Sequence, residues 1–520
     1  MLLRTFLALA AGLTLSLAFE PVALPVLVPV AVGAFFLSTR GLRARSGWVP
    51  GLAFGAGFYF THIYWMRESI GLDAWLALAG IEALFYAALG SVSAALHRRR
   101  LWPAWLAAGW VALEVLRSGW PFSGMPWGRL SFAVVDTPLA PALPYVGSVG
   151  VSLLLAVMGA LLAWVVAARD RERLVAGAAT VGFVAVALLP ALAPYEVEET
   201  GTATVAVVQG DVPGPGNDIL YDFEQVTQNH VDATVDLAAA VSAGEQPPPD
   251  FVLWPENSTA SDPFRDAAVN AGIREAATAV GVPVLVGAMV DAGPDHVLNQ
   301  GIVWDPVTGA GDRYTKRHPV PYGEYIPLRK YLPATFGKLA LVPRDMLSGT
   351  RKTPLQVGEI SVADAICFDI AYDDGLHDQV TRGAELLTVQ TSNASFIFTD
   401  QIDQQFAITR LRAIETGRWL AVASPNGVSG IVAPDGEVVA VADPRTRAVL
   451  VEDVGLATAV TPGVRLGPWP GRACSALTIV GLLLGALPYR RRRTTTEPEP
   501  APTDSDTPTS PDPSHDKVLS

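Results

Sequence analysis

Cys367 closes the apolar run Ala363-Asp364-Ala365-Ile366 and is followed by Phe368-Asp369. The run reads as a buried strand that ends in a thiol and an acid. Two other segments concentrate reactive side chains in uncommon contexts. Trp254-Pro255-Glu256-Asn257 puts a carboxylate directly after a proline that ends the preceding strand. Tyr314-Thr315-Lys316-Arg317-His318-Pro319-Val320-Pro321-Tyr322-Gly323-Glu324 crowds three basic side chains and a second carboxylate into one stretch. A thiol is a weak nucleophile until it loses its proton; a neighbouring cation favours the thiolate, and a carboxylate can take the proton. Each residue by itself has a plain reading: a packing cysteine, a loop carboxylate, a solvated lysine. Their conjunction points to nucleophilic catalysis.

The elements that must position these groups alternate between strand and helix. Strands are expected at Thr204–Gln209, Phe251–Trp254, Val282–Gly287, Gly301–Trp304, Ser361–Cys367 and Leu386–Gln390. Helices are expected at Tyr221 to about Ser242, 263–280, after Cys367, and around Asp403–Thr416. Strands interleaved with helices argue for α/β layers, with reactive groups at strand ends.

The rest of the chain has a different composition. Of 520 residues 50% are hydrophobic and only 17% charged, and the mean hydropathy is +0.33. Charged content this low is that of a membrane protein. Candidate spans lie at 2–19, 21–38, 48–66, 72–96, 102–117, 146–168, 173–191 and 472–489. The domains are then 1–192, a membrane domain of about seven helices; 203–456, the α/β domain; 472–489, a C-terminal span; and 494–520, a Thr/Pro/Ser/Asp-rich tail expected to be disordered. Arg40, Arg43 and Arg45, then His97 to Arg100, then Arg169, Arg171 and Arg173, and finally Arg490 to Arg493 fall in every second connection. The positive-inside rule puts all of them in the cytoplasm and the α/β domain on the outer face.

Three features carry open readings. Met1–Leu17 is either a retained helix, which the lack of a small-x-small cleavage site favours, or a signal peptide. Glu82 and Glu114 lie within spans, where an acid serves function or helix packing. Trp120, Phe122, Met125 and Trp127 in the connection Ser118–Val146 form either an interfacial aromatic belt or a loop that admits a lipid.

A net charge of −13 gives no reason to expect a nucleic-acid partner. Two cysteines, Cys367 and Cys474, far apart in sequence and context, argue against a disulfide framework, and no Cys/His cluster suggests a metal or other cofactor. Cys474, at the start of the last span without acid–base company, reads as structural.

With both halves considered, the chain resembles the apolipoprotein N-acyltransferases of bacterial membranes, whose outer domain is of the nitrilase superfamily. The motifs that carry the resemblance are Gly124-Met125-Pro126-Trp127, Val207-Val208-Gln209-Gly210, Trp254-Pro255-Glu256, the segment Lys316–Pro327, Ile366-Cys367-Phe368-Asp369, Arg410–Arg418 and Pro425–Ser429. It implies a polytopic α-helical bundle of about eight spans with an αββα nitrilase-like sandwich, acting as a monomer in the plasma membrane. It implies a phospholipid acyl donor, a thioester on Cys367, and transfer of the acyl chain to the α-amine of a diacylated apolipoprotein acceptor. The implied triad is Glu256 as general base, Lys316 as the cation that favours the thiolate and stabilises the oxyanion, and Cys367 as nucleophile. Glu324 would orient Lys316 or the amine, and the Phe368 N–H would assist at the oxyanion. His318 is a less suited base than Glu256.

The chain departs from the family pattern after the nucleophile. Phe368 carries no hydroxyl, and Asp369 is one methylene shorter than the glutamate common there. Asn393 takes no catalytic role, and no tryptophan near Asp211–Tyr221 matches that of the family's mobile loop. Two other classes compete: a membrane-tethered amidase or nitrilase that uses water as the second nucleophile, and a non-enzymatic transporter or scaffold with a degenerate outer domain.

Overall fold

A computed structural model describes residues 1–331, 340 and 342–486. The expected tail at 494–520, Arg490 to Arg493 and the end of the span 472–489 lie outside the described residues.

The first part of the chain is a helix array: α1 (Leu2–Ser16), α2 (Leu27–Thr39), α3 (Ala44–His62), α4 (Trp65–Ser69), α5 (Leu72–Leu96), α6 (Trp102–Gly119), α7 (Leu143–Ala167) and α8 (Asp170–Ala187). Among the described residues three helical segments, Leu72–Leu96, Ala140–Ala167 and Asp170–Ala191, are long and apolar enough to cross a membrane, and α1 and α2 are apolar but shorter. The basic connections gather at one end. Arg4 donates to the carbonyls of Ser38 and Arg40, Arg40 to that of Ala167, and Arg99 to that of Gly481. The opposite end of α1 leads to Glu20, which abuts the α/β domain.

That domain contains β1 (Gly201–Gln209), α9 (Phe223–Ser242), β2 (Phe251–Leu253), α10 (Ala267–Val280), β3 (Val284–Asp291), β4 (His296–Asp305), β5 (Gly309–Thr315), β6 (Asp345–Met346), β7 (Leu355–Val357), β8 (Ile360–Ile366), α11 (Asp374–Val380), β9 (Leu386–Gln390), α12 (Gln401–Thr416), β10 (Leu420–Ala423), β11 (Gly430–Val432), β12 (Val438–Val441) and β13 (Ala448–Leu456). The short helix α13 (Pro462–Leu466) and the apolar α14 (Trp469–Ala486) follow. One sheet runs β13-β1-β2-β3-β4-β5 with β6 beside β4, and the other β12-β11-β10-β9-β8-β7.

Strands buried on both faces explain the layering. On β1, Val205 and Val207 face the second sheet, with Leu253, Leu285, Val362 and Ile366 in the same core, while Ala206 and Val208 pack against α9 and α10. The outer helices of the second sheet, α11 and α12, share a core with the helix array through Leu376, Ile408, Leu411 and Ile414. The order is therefore helices, sheet, sheet, helices, with the last layer lying against the apolar helices.

Differences from the expected elements have local causes. The helix expected from 263 starts at Ala267, because Asp266 caps it by accepting from the N–H groups of Ala268 and Val269. The strand expected at Gly301–Trp304 extends to His296–Asp305, and β5, β6, β7 and β10 to β13 have no counterpart in the expected set. Helix α7 is broken at Gly147 (φ 69°), which frees the Ser148 N–H to donate to Glu415 Oε1 at 2.7 Å.

Candidate active site

Glu256, Lys316 and Cys367 come together between the C-terminal ends of the two sheets, each just past a strand. Glu256 follows β2 after Trp254-Pro255. Gly287 on β3 permits this turn, since a Cβ there would lie 2.1 Å from the Pro255 carbonyl oxygen. Lys316 follows β5, with its N–H donating to the Asn299 carbonyl at 2.9 Å. Cys367 follows β8 at a φ of 51°, a left-handed conformation that costs a non-glycine residue energy.

The charged groups form one chain of contacts. Lys316 Nζ lies 3.1 Å from Glu256 Oε1 and 2.6 Å from Glu324 Oε1. Asn299 Nδ2 donates to Glu256 Oε1 at 2.6 Å and the Ser392 N–H to Oε2 at 2.7 Å. The Val320 N–H donates to Glu324 Oε2 at 2.8 Å, holding that carboxylate toward the lysine. Glu256 is 2% exposed and Lys316 0%, so solvent screens the contact between them little.

Burial opposes the charge on Lys316, but Glu256 and then Glu324 outweigh it and hold the ammonium well above the ordinary lysine range. Glu324 is pushed up, by burial first and by Glu256, against the pull of Lys316. The Cys367 thiol is pushed up to about 12, again by burial first, then by Glu256, with Lys316 opposing. The resting site therefore holds a thiol and an ammonium, and the proton must leave sulfur when an electrophile arrives.

Asp369 organises the turn after Cys367. Its Oδ2 accepts from Tyr314 Oη at 3.0 Å and the Arg317 N–H at 3.1 Å, and its Oδ1 from the His318 N–H at 2.7 Å. Burial works against its charge, yet His318 and Lys316 hold the carboxyl below the usual range. The shorter side chain thus ties the lysine segment to the nucleophile turn. His318, the less suited base, is engaged by other groups. Its ring nitrogens lie 3.1 Å from Asp369 and 3.3 Å from Asp374, and its ring stacks on Tyr372 at 3.8 Å. Asn393 is buried against Gln405.

A cavity of about 240 Å³ opens beside Cys367 and reaches helix α5. Its wall is apolar: Ile70, Ala74, Leu78 and Ile81 from the helix array, Met125 and Trp127 from the connection after α6, and Phe368 and Phe396 from the α/β domain. Trp127 is 2% exposed and stacks on Phe368, with ring centroids 6.2 Å apart; Trp120 is 61% exposed. The connection Ser118–Val146 thus contributes Phe122, Met125 and Trp127 to the cavity and Trp120 to the outer surface. Glu82 also lines the cavity and pairs with Arg117 at 3.6 Å, while Glu114 accepts from Trp110 Nε1 and the Leu130 N–H. Cys474 packs with Ala108 and Val111, away from these groups.

Sequence reasoning missed Asn299 and the Ser392 N–H. A polar pair, Asn299-Gln300, in the middle of an otherwise apolar strand was the signal that could have found the first.

Residues 11–161 match the family model for the apolipoprotein N-acyltransferase N-terminal domain, and residues 204–461 that for carbon-nitrogen hydrolases. An apolipoprotein N-acyltransferase of Mycolicibacterium smegmatis is 32% identical over 488 residues, covering 89% of this chain and 81% of the relative. The chain belongs to the apolipoprotein N-acyltransferase family. Family members from Methylococcus capsulatus and Pseudomonas putida are each 30% identical, covering 94% and 92% of this chain and 96% and 97% of their own. Among solved structures, an amidase from Nesterenkonia sp. aligns with 52% of this chain and 94% of its own at 17% identity and a TM-score of 0.34.

Proposed function

We propose that the protein is a membrane-bound apolipoprotein N-acyltransferase that moves an acyl chain from a phospholipid, through a thioester on Cys367, to the α-amine of a diacylated lipoprotein. The observation that carries this reading is the apolar cavity that joins helix α5 of the array to Cys367. A small polar amide needs no such cavity, and this disfavours the amidase alternative. The intact cluster of Glu256, Lys316 and Cys367 disfavours a degenerate scaffold.

In the first half-reaction Glu256 takes the thiol proton as sulfur attacks the ester carbonyl and the C–S bond forms. The Lys316 ammonium stabilises the oxyanion, assisted by the Phe368 N–H in the first turn after Cys367. As the C–O bond breaks, Glu256 returns the proton to the leaving lysophospholipid alcohol. In the second half-reaction a neutral amine attacks the thioester, gives its proton to Glu256, and the C–S bond breaks. That proton then returns to the thiolate. Glu324 holds Lys316 in place through both steps.

The eight-span architecture, the domain limits 1–192, 203–456 and 472–489, and an α/β domain on the outer face belong to the same reading. The gathering of Arg4, Arg40 and Arg99 at the end of the helix array away from that domain supports this orientation.

Mass spectrometry of the purified protein incubated with phospholipid tests the chemistry. An acyl adduct on Cys367 that is discharged by a diacylated peptide is expected. An adduct that only water discharges would favour the hydrolase.

A further inference from the structure

Gln404, on α12 of the α/β domain, is 6% exposed and has every hydrogen-bonding position filled by the helix array and its connections. Its Oε1 accepts from Trp65 Nε1 at 3.1 Å and Trp127 Nε1 at 2.7 Å. Its Nε2 donates to the carbonyls of Glu20 at 3.0 Å and His62 at 3.2 Å. Two indole donors can face only the amide oxygen and two carbonyls only the amide nitrogen, so the side chain has one orientation.

The two indoles line the cavity beside Cys367 but come from separate segments, α4 and the connection after α6. Trp65 meets Trp127 at 6.0 Å and Phe396 edge-on at 5.5 Å, and Trp127 stacks on Phe368, the residue next to the nucleophile. Among the described residues, Gln404 is the only hydrogen-bond partner of either indole N–H. Most buried donors are paired, and here this one amide pairs both indole N–H groups and so holds the facing of both rings.

We propose that Gln404 is a positioning residue for the acyl donor: by holding Trp65 and Trp127 it shapes the cavity wall at Cys367 and sets the acyl-chain selectivity of thioester formation. The inference rests on the acyltransferase reading. Flat, fixed rings present a rigid boundary to the chain carbons nearest the reacting carbonyl, and a chain that does not fit displaces that carbonyl from sulfur. Released rings turn, the boundary softens, and poorly fitting chains react more nearly as well as the preferred one.

The test uses the full-length protein with an equimolar set of phospholipids that differ only in acyl-chain length and saturation, reading the mass of each adduct on Cys367. Gln404→Met keeps the volume and removes the hydrogen bonds. It should lower the ratio of preferred to disfavoured adducts about fivefold, the scale of one net hydrogen bond, with a smaller change in total adduct. Trp65→Phe with Trp127→Phe keeps an aromatic ring at each position, smaller than the indole, and removes the N–H groups, and should lower the ratio similarly. Gln404→Met added to that pair should change it no further. An unchanged ratio, or effects that add, overturns the proposal. If Gln404→Met does not fold, the phenylalanine variants decide it in the same way. Absence of any adduct on the unsubstituted protein counts against the acyltransferase reading itself, whereas adduct formation with unchanged selectivity counts against Gln404 alone.

Discussion

Two buried clusters of charge lie on either side of the turn that carries Cys367, and they differ in their ratio of cations to acids. Beyond the turn, Arg412 lies 2.6 Å from Glu415 and 2.9 Å from Asp373, and Arg129, from the connection after α6, reaches Asp373 at 2.8 Å. Two guanidinium groups serve two carboxylates. Burial opposes both acids, but Arg129 and Arg412 hold Asp373 far below the carboxylate range, and Arg412 with His377 brings Glu415 down to about 2. On the other side, one ammonium serves two carboxyl groups and a thiol, and there Glu324 and Cys367 are pushed up. Burial is similar in the two places. The shortage of positive charge makes the second cluster one that must move a proton to act. The first locks the helix array to the nucleophile turn, since Arg412 also donates to the carbonyls of Ile370 and Ala371.

The contrast can be broken at either cluster. Cys367→Ala should abolish the acyl adduct outright, while Cys474→Ala should leave it intact, both read by mass spectrometry. In the balanced cluster, Asp373→Ala leaves two buried guanidinium groups short of a partner. It should destabilise the protein by about 3–5 kcal/mol, seen as a lower unfolding temperature in detergent. In the reactive cluster, Lys316→Ala should slow thioester formation by roughly 100-fold or more, the scale of a lost oxyanion donor. It leaves Glu256 and Glu324 facing each other without a cation, so alkylation of Cys367 by iodoacetamide should also slow.

The smallest effect sharpens the comparison most. Glu324→Gln removes one negative charge near the thiol, so the thiolate becomes easier to form. The pH profile of Cys367 alkylation should move to lower pH, with a gain of about tenfold in rate near neutral pH for each unit moved. A profile moved to higher pH would show that Glu324 acts chiefly by holding Lys316. An unmoved one would remove the charge ratio as the cause of the raised thiol.

That Glu256, Lys316 and Cys367 belong to one site was legible because the signal of each is local. A thiol closing an apolar strand, a glutamate after Trp-Pro and a lysine opening a proline-rich segment are contexts that the neighbouring residues define. The apolar runs of the helix array were legible for the same reason, as was the interleaving of strands and helices. Short strands such as β7 and β11, three residues each, offer too few positions for a period to show. The charge ratio at the site, the Asn299 bond to Glu256, the pairing of Arg129 with Asp373 and the seating of Trp65 and Trp127 on Gln404 join residues far apart along the chain. Side-chain chemistry and backbone period act over a few residues and can be read from order alone. Which buried acid meets which cation is decided only when distant elements pack, because that packing sets the distances and excludes the water that would otherwise screen them.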